Sequence, residues 1–378
     1  MTRQPAGAPG RARGARQVAL AQVALALAAL VTLAMAGAAA AQTAQTTKIR
    51  VGWASRTVSV QTAPFAIATK LGWFREEGLE VELVPLAGSV DGVKNVATRE
   101  VPFALASPEP LAVAWTQGLR AKTFYTAYQG NIFLVTVPAD SPIRTIADLR
   151  GKTIGVPSMG SNGVIVARAL AAAHGLNPDK DITIVPVGEA AQSAAMLRSR
   201  QVDALSQGDT QHAIVENAGG IRLRALDNSA IARFPSDGFI ALDETLKTRS
   251  REAIGLARGY AKGTVFTIAN PEAAVRIFYE VYPHGRPTGK DELTAIRDNT
   301  RVLAARIQNW RLERSGAIRW GENSEANYAA YLDFLQRWGV LKERVGPGDL
   351  VTYSLIDEIN RFDAGRIAAE ARAFTPSR

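Results

Sequence analysis

The sequence predicts an α/β protein of two lobes joined by two chain crossings, with a helical C-terminal extension. Three observations carry this. Strand and helix patterns alternate over residues 48–85 and again over 151–226, as in parallel-sheet units. Two stretches, Gln129-Gly130-Asn131 and residues 231–242, read as passages between those two sets. From Asp243 onward only helical periodicity is left.

Lys48 to Ala54 alternates as a strand, and Ser55-Arg56-Thr57-Val58-Ser59 then forms a polar loop ahead of a helix around Pro64 to Phe74. Leu79 to Pro85 is the next strand. In open parallel sheets ligands sit beyond the carboxyl ends of strands, where Ser55, Arg56 and Thr57 fall. Ser89 to Ala97 reads as a helix and Val101 to Ala106 as a short apolar strand. Ser107, Pro108 and Glu109 then suit the N-cap, first position and acidic first turn of a helix over 111–117. This placement accounts for Glu109 locally. For Ser107 it leaves capping and ligand contact equally open. Ala121 to Ala127 is a strand that brings Tyr125 and Tyr128 to the first crossing, where packing is the ordinary role of a tyrosine and Tyr128 is also a ligand candidate.

In the second set, Ile132 to Val137 is a β-branched and aromatic strand. The run Gly151-Lys-Thr-Ile-Gly-Val-Pro-Ser-Met-Gly-Ser-Asn-Gly163 is a buried strand (153–156), a polar turn and the start of an alanine-rich helix over 164–173. Such a turn gathers Ser158, Gly160, Ser161 and Asn162 with unpaired backbone N–H groups at a positive helix end, an arrangement suited to an anion. Capping of the helix by Ser161 or Asn162 is the alternative. Ile182 to Val187, a helix over 189–200 and Val202 to Leu205 lead to a second polar turn, Gln207 to Gln211, before a helix over 212–217. Its Asp209 and Thr210 are cap-type residues and ligand candidates together. Leu223 to Leu226 completes the lobe, and residues 231–242, including Asp237, form the return crossing.

The expected division is a leader over 1–41, lobe 1 over 42–130 plus 236–378, and lobe 2 over 131–235. The leader reading rests on Arg3, Arg11, Arg13 and Arg16, the apolar run 18–36 and Ala39-Ala40-Ala41 before Gln42, the order of a secretory signal peptide. Removing 41 residues and those four arginines would take the formal charge from +9 to +5. With no basic block beyond the leader, nucleic acid is not an expected partner. The chain has no cysteine, so disulfides, thiolate metal sites, a cysteine nucleophile and a lipid-bearing cysteine are excluded. Its three histidines lack metal-ligand spacing, and neither metal nor cofactor is expected. In the helical tail, Asn270-Pro271-Glu272 is a helix start, an aromatic stripe follows over 325–338, and a last helix is expected over 350–366.

The run Pro64 to Leu83 (PFAIATKLGWFREEGLEVEL) resembles the signature of the periplasmic receptors of ABC importers for nitrate, aliphatic sulfonates and taurine, a family that includes binders of thiamine-pyrimidine precursors. Phe103 to Ser107, Asp148 to Pro157 with Gly160-Ser161, and Val202-Asp203-Ala204 fit in order. This resemblance implies a type II periplasmic binding protein: a monomer that traps a small polar solute between its lobes, without turnover, and presents it to an inner-membrane permease. It also implies that Ser55 to Thr57, Ser107, Ser158 to Asn162 and Gln207 to Gln211 line the cleft, with Arg56 facing an anion and Asp209 or Asp237 an amine. Ser206-Gln-Gly-Asp-Thr210 departs from the Trp-Glu-Pro-like stretch of many members, so contacts there do not transfer. Two other readings share the fold: a receptor for a membrane sensor, and an enzyme such as a pyrimidine synthase or a dehydratase. A dehydratase needs an acid/base pair, for which only Glu109 and His212 are candidates.

Overall fold

The computed structural model describes residues 1–2 and 46–375; the expected leader falls outside them. Two five-stranded sheets organise the chain. The first has the order β2-β1-β3-β10-β4, from β1 (Thr47–Trp53), β2 (Leu79–Pro85), β3 (Phe103–Ala106), β4 (Ala121–Thr126) and β10 (Gly238–Leu242). The second has the order β7-β6-β8-β5-β9, from β5 (Phe133–Pro138), β6 (Lys152–Val156), β7 (Ile182–Pro186), β8 (Ala204–Gly208) and β9 (Leu223–Ala225).

The expected parallel units are present: β1 pairs in parallel with β2 and β3, and β6 with β7 and β8. Residues 238–242, read from sequence as part of a connector, are instead a nearly central strand. β10 runs antiparallel between β3 and β4, and its Gly-Phe-Ile-Ala run is buried throughout. β5 takes the equivalent antiparallel place between β8 and β9. Each crossing therefore delivers its strand next to the strand from which the other crossing departs. Two neighbouring antiparallel connections join the lobes, a hinge more restrained than one linker. Backbone bonds tie the connections to each other: Ala127 and Tyr128 N–H donate to the Asp237 carbonyl (3.0 and 3.1 Å), and Ser236 N–H donates to that of Tyr128 (3.2 Å).

The helix expected over 64–74 breaks at Gly72, whose φ of +79° is left-handed, giving Ala63–Lys70 and Trp73–Glu76. Phe65 from the first piece meets Phe239 of β10 and Tyr260 of the long helix Ser250–Ala269 edge-on, at centroid distances of 5.9 and 4.9 Å. That aromatic cluster joins the helical tail to the first sheet. The last expected helix is three short ones, Pro347–Leu350, Ile356–Ile359 and Ala364–Ala373. Val351 leaves the helical path to bridge Thr123 of β4, and Asp363 caps the final segment by accepting from Arg366 N–H (2.9 Å). Helix Glu292–Trp310 packs against both Pro271–Val281 of the tail and Asp209–Gly219 of the second lobe, so it lies along the hinge.

Candidate functional site

Three adjoining cavities lie between the lobes at the carboxyl ends of the parallel strands, and Ser55 and Gln211 border all of them. The first lies among Arg56, Ser89, Phe133, Ser158, Asn162, Glu189 and Asp237. A second, toward the hinge, lies among Trp53, Gln61, Tyr128, Phe133, Asp237 and Arg306. The third lies among Thr57, Ser59, Gln61, Glu189 and Gln207. Their volumes are about 30, 30 and 110 Å³. Pockets that hold drug-sized ligands run to about 300–1,000 Å³, so the lobes stand closed on each other here.

Asp237 faces the first two cavities from the return crossing. Its Oδ1 accepts from Ser107 Oγ (2.5 Å) and Ser236 Oγ (3.3 Å). Ser107 occupies the N-cap position of helix Pro108–Thr116, yet its side chain makes no capping bond. It orients Asp237 instead, braced by Ser89 Oγ at 3.0 Å. Burial raises the Asp237 carboxyl above its ordinary range, against the lowering effect of Ser107 and, further off, Arg306.

At the hinge, Asp209 is not a cap. Helix Asp209–Gly219 begins at this residue, with Gly208 before it. Its carboxylate accepts from Arg306 Nε (2.8 Å) and Asn309 Nδ2 (2.9 Å), both on helix Glu292–Trp310. Thr210 Oγ1 accepts from Arg306 Nη2 (3.1 Å) and donates to Gln61 Oε1 (2.6 Å). The guanidinium lies over the Tyr128 ring, 4.1 Å from its centroid, so Tyr128 packs and lines the cavity at once.

The 158–162 turn makes hydrogen bonds across the cleft and within itself. Ser158 Oγ donates to the Ala87 carbonyl, the Gly160 carbonyl accepts from Val90 N–H (3.3 Å), and Asn162 Nδ2 donates to Glu109 Oε1 (2.7 Å). Ser161 Oγ accepts from Gly163 N–H (3.2 Å), an N-cap contact. In the closed form this turn is a clasp between lobes. Arg56 is exposed at the rim, and Thr57 reaches Glu189 Oε2 at 3.5 Å.

Sequence reasoning missed Arg306, Asn309, Ser89, Gln61, Phe133 and Glu189. Arg306 and Asn309 are mid-helix residues with no local mark, whereas Ser89 and Gln61 follow polar strand-end loops and were open to the rule applied to Ser55. His212 is buried with Nδ1 3.0 Å from Thr136 Oγ1 and Nε2 3.1 Å from the Leu134 carbonyl, and burial takes its pKa down to about 4. It is a neutral structural group in the second lobe. Among the described residues no cluster of His, Asp or Glu has a metal-holding arrangement, and no helix is long and apolar enough to cross a membrane.

Two α/β lobes on a paired hinge, closing over a polar cleft, define the fold of the periplasmic solute-binding proteins. The chain belongs to the NMT1/THI5-like family, whose model matches residues 59–274. It is 26% identical over 314 residues to the riboflavin-binding protein RibY of Chloroflexus aurantiacus, covering 82% of this chain and 86% of that one. It is 28% identical over 109 residues to the formylaminopyrimidine-binding protein of Halalkalibacterium halodurans, covering 29% and 33% of the two. In structure it is similar to the alkanesulfonate-binding protein SsuA of Xanthomonas axonopodis, with a TM-score of 0.60 at 17% identity over 81% of this chain and 98% of that one.

Proposed function

We propose that this protein is the exported solute-binding subunit of an ABC importer, and that its solute is a flat, N–H-bearing heterocycle of flavin or aminopyrimidine type rather than nitrate or a sulfonate. The Asp237 carboxylate carries this reading. It faces two cavities, held by Ser107 and Ser236 on one oxygen only. A buried carboxylate so placed asks for hydrogen-bond donors and repels an anion. The buried cation of the cleft, Arg306, is already neutralised by Asp209 at 2.6 Å. Trp53, Tyr128 and Phe133 add aromatic wall against which a ring stacks. The riboflavin- and formylaminopyrimidine-binding relatives support the same chemistry.

Binding without turnover is favoured over dehydration because both candidate groups are occupied. Glu109 is sealed between the lobes and His212 is bonded on both nitrogens. The test is a thermal-shift series with riboflavin, a formylaminopyrimidine, taurine, an alkanesulfonate and nitrate. A ligand at a hundred times its Kd stabilises by about 2.7 kcal/mol. Stabilisation by riboflavin or the pyrimidine, with the compound recovered unchanged, is expected. A response confined to the anions overturns the ligand class, and any product overturns the receptor reading.

A further inference from the structure

Glu109 stands in the first turn of helix Pro108–Thr116 and is 1% exposed. Its Oε1 accepts from Asn162 Nδ2 of the other lobe at 2.7 Å and from the hydroxyl of Tyr331 on helix Glu325–Arg337. Two atoms of the couple have no partner: Glu109 Oε2 and Asn162 Oδ1, both fully buried. With an ionised carboxylate both are acceptors and neither can satisfy the other. The charged and titratable groups that face Glu109 are Asp237 from the return crossing, and Tyr328 and Tyr331 from the tail helix. None of them is a cation. An unpaired buried carboxylate costs several kcal/mol, more than the helix N-terminus returns. One proton on Oε2 removes that cost and supplies the missing donor. The acid and the amide then match as a pair, Asn162 Nδ2–H to Oε1 and Oε2–H to Asn162 Oδ1.

We propose that Glu109 is a neutral acid when the lobes are closed and clasps Asn162 through two hydrogen bonds, so that closing the cleft takes one proton from water and opening it returns one. Burial pushes the closed-state carboxyl up to about 8, with the helix start and Asn162 pulling the other way and losing. Once the lobes part and water reaches Glu109, its pKa returns toward the ordinary value of about 4.3. Between these limits the closed form is favoured by acid, by up to about tenfold per pH unit. The clasp uses no ligand atom, so it stands whatever solute the cleft accepts.

Because the chain has no cysteine, two can be introduced at exposed Lys180 and Arg344, one on each lobe, and spin-labelled. Interlobe distances are then measured without ligand from pH 5 to 9. In the otherwise unaltered protein the closed population should fall as pH rises and level off above about 8. Glu109→Gln, whose amide donates to Asn162 Oδ1 at any pH, should remain closed throughout. Glu109→Ala should be open throughout, and Asp237→Asn should keep the pH dependence, which separates the titration of Asp237 from that of Glu109. A closed population indifferent to pH, or a Gln variant that behaves as the Ala variant, overturns the proposal. If the Ala variant does not fold by circular dichroism, the comparison of Gln with the parent still decides.

Discussion

Arg306 and Asp209 are joined at 2.6 Å with side chains only 2% and 7% exposed, and this pair fastens the tail helix to the second lobe beside both crossings. Removing one partner of such a buried pair strands the other, at a cost of about 3–5 kcal/mol, whereas replacing both by apolar groups of similar size is often neutral. Arg306→Met and Asp209→Leu singly should each lower stability by that order in urea unfolding. The double variant should recover most of the loss. If the double variant equals the sum of the singles, the two residues act independently.

Asp237→Asn tests recognition apart from folding. Asparagine keeps an oxygen for Ser107 and Ser236 to donate to and removes a carboxylate that burial already disfavours. The thermal midpoint should therefore hold or rise. Calorimetric titration with whichever of riboflavin or the formylaminopyrimidine stabilises the parent should show affinity weaker by about tenfold or more, ~1.4 kcal/mol. An unchanged affinity removes Asp237 from the site.

Most of the framework was legible in the sequence because it rests on local signals. Alternation in Leu79–Pro85 and the helix Ser89–Ala97 match their observed bounds, and the strand-end rule led to Ser55 and Ser158, which border the first cavity. What escaped depends on partners distant in the chain. Ser107 was open to capping or ligand contact alike, and only the return of Asp237, 130 positions later, draws its hydroxyl to a third role. In the 158–162 turn the opposite lobe takes up the side-chain donors of Ser158 and Asn162, from partners 71 and 53 positions away that no local signal marks. Residues 238–242 read as a connector because a short apolar run carries no sign of whether it joins a sheet.

Gly88 offers a way to prop the cleft. It has φ +145°, and a Cβ there would stand 2.3 Å from the Gly160 carbonyl oxygen on the other lobe. Gly88→Ala should leave each lobe folded but keep the two apart. Small-angle scattering should then give a larger radius of gyration than the parent at pH 5, with a similar far-UV spectrum. An equally compact variant would place the contact outside the closing motion.

Stability against pH should carry two opposed proton linkages. His212 is held near 4 by burial, against 6.5 for the free side chain. As pH falls below 6.5 the unfolded chain takes up a proton that the folded one refuses, so this group makes stability fall toward acid. Glu109 is held at about 8 against 4.5. The folded chain keeps a proton that the unfolded one has lost, so this group's contribution is full below 4.5 and is lost as pH rises to about 8. The two slopes oppose each other between 4.5 and 6.5, and above 6.5 that of His212 is gone while that of Glu109 continues. Urea unfolding of the parent and of Glu109→Gln, taken as a difference, isolates it. The parent should lose stability relative to the variant by up to about 1.4 kcal/mol per pH unit from 6.5 toward 8, and by nothing further beyond. Parallel profiles for the two proteins would mean that Glu109 is ionised in the folded state and that its buried oxygen is satisfied in some other way.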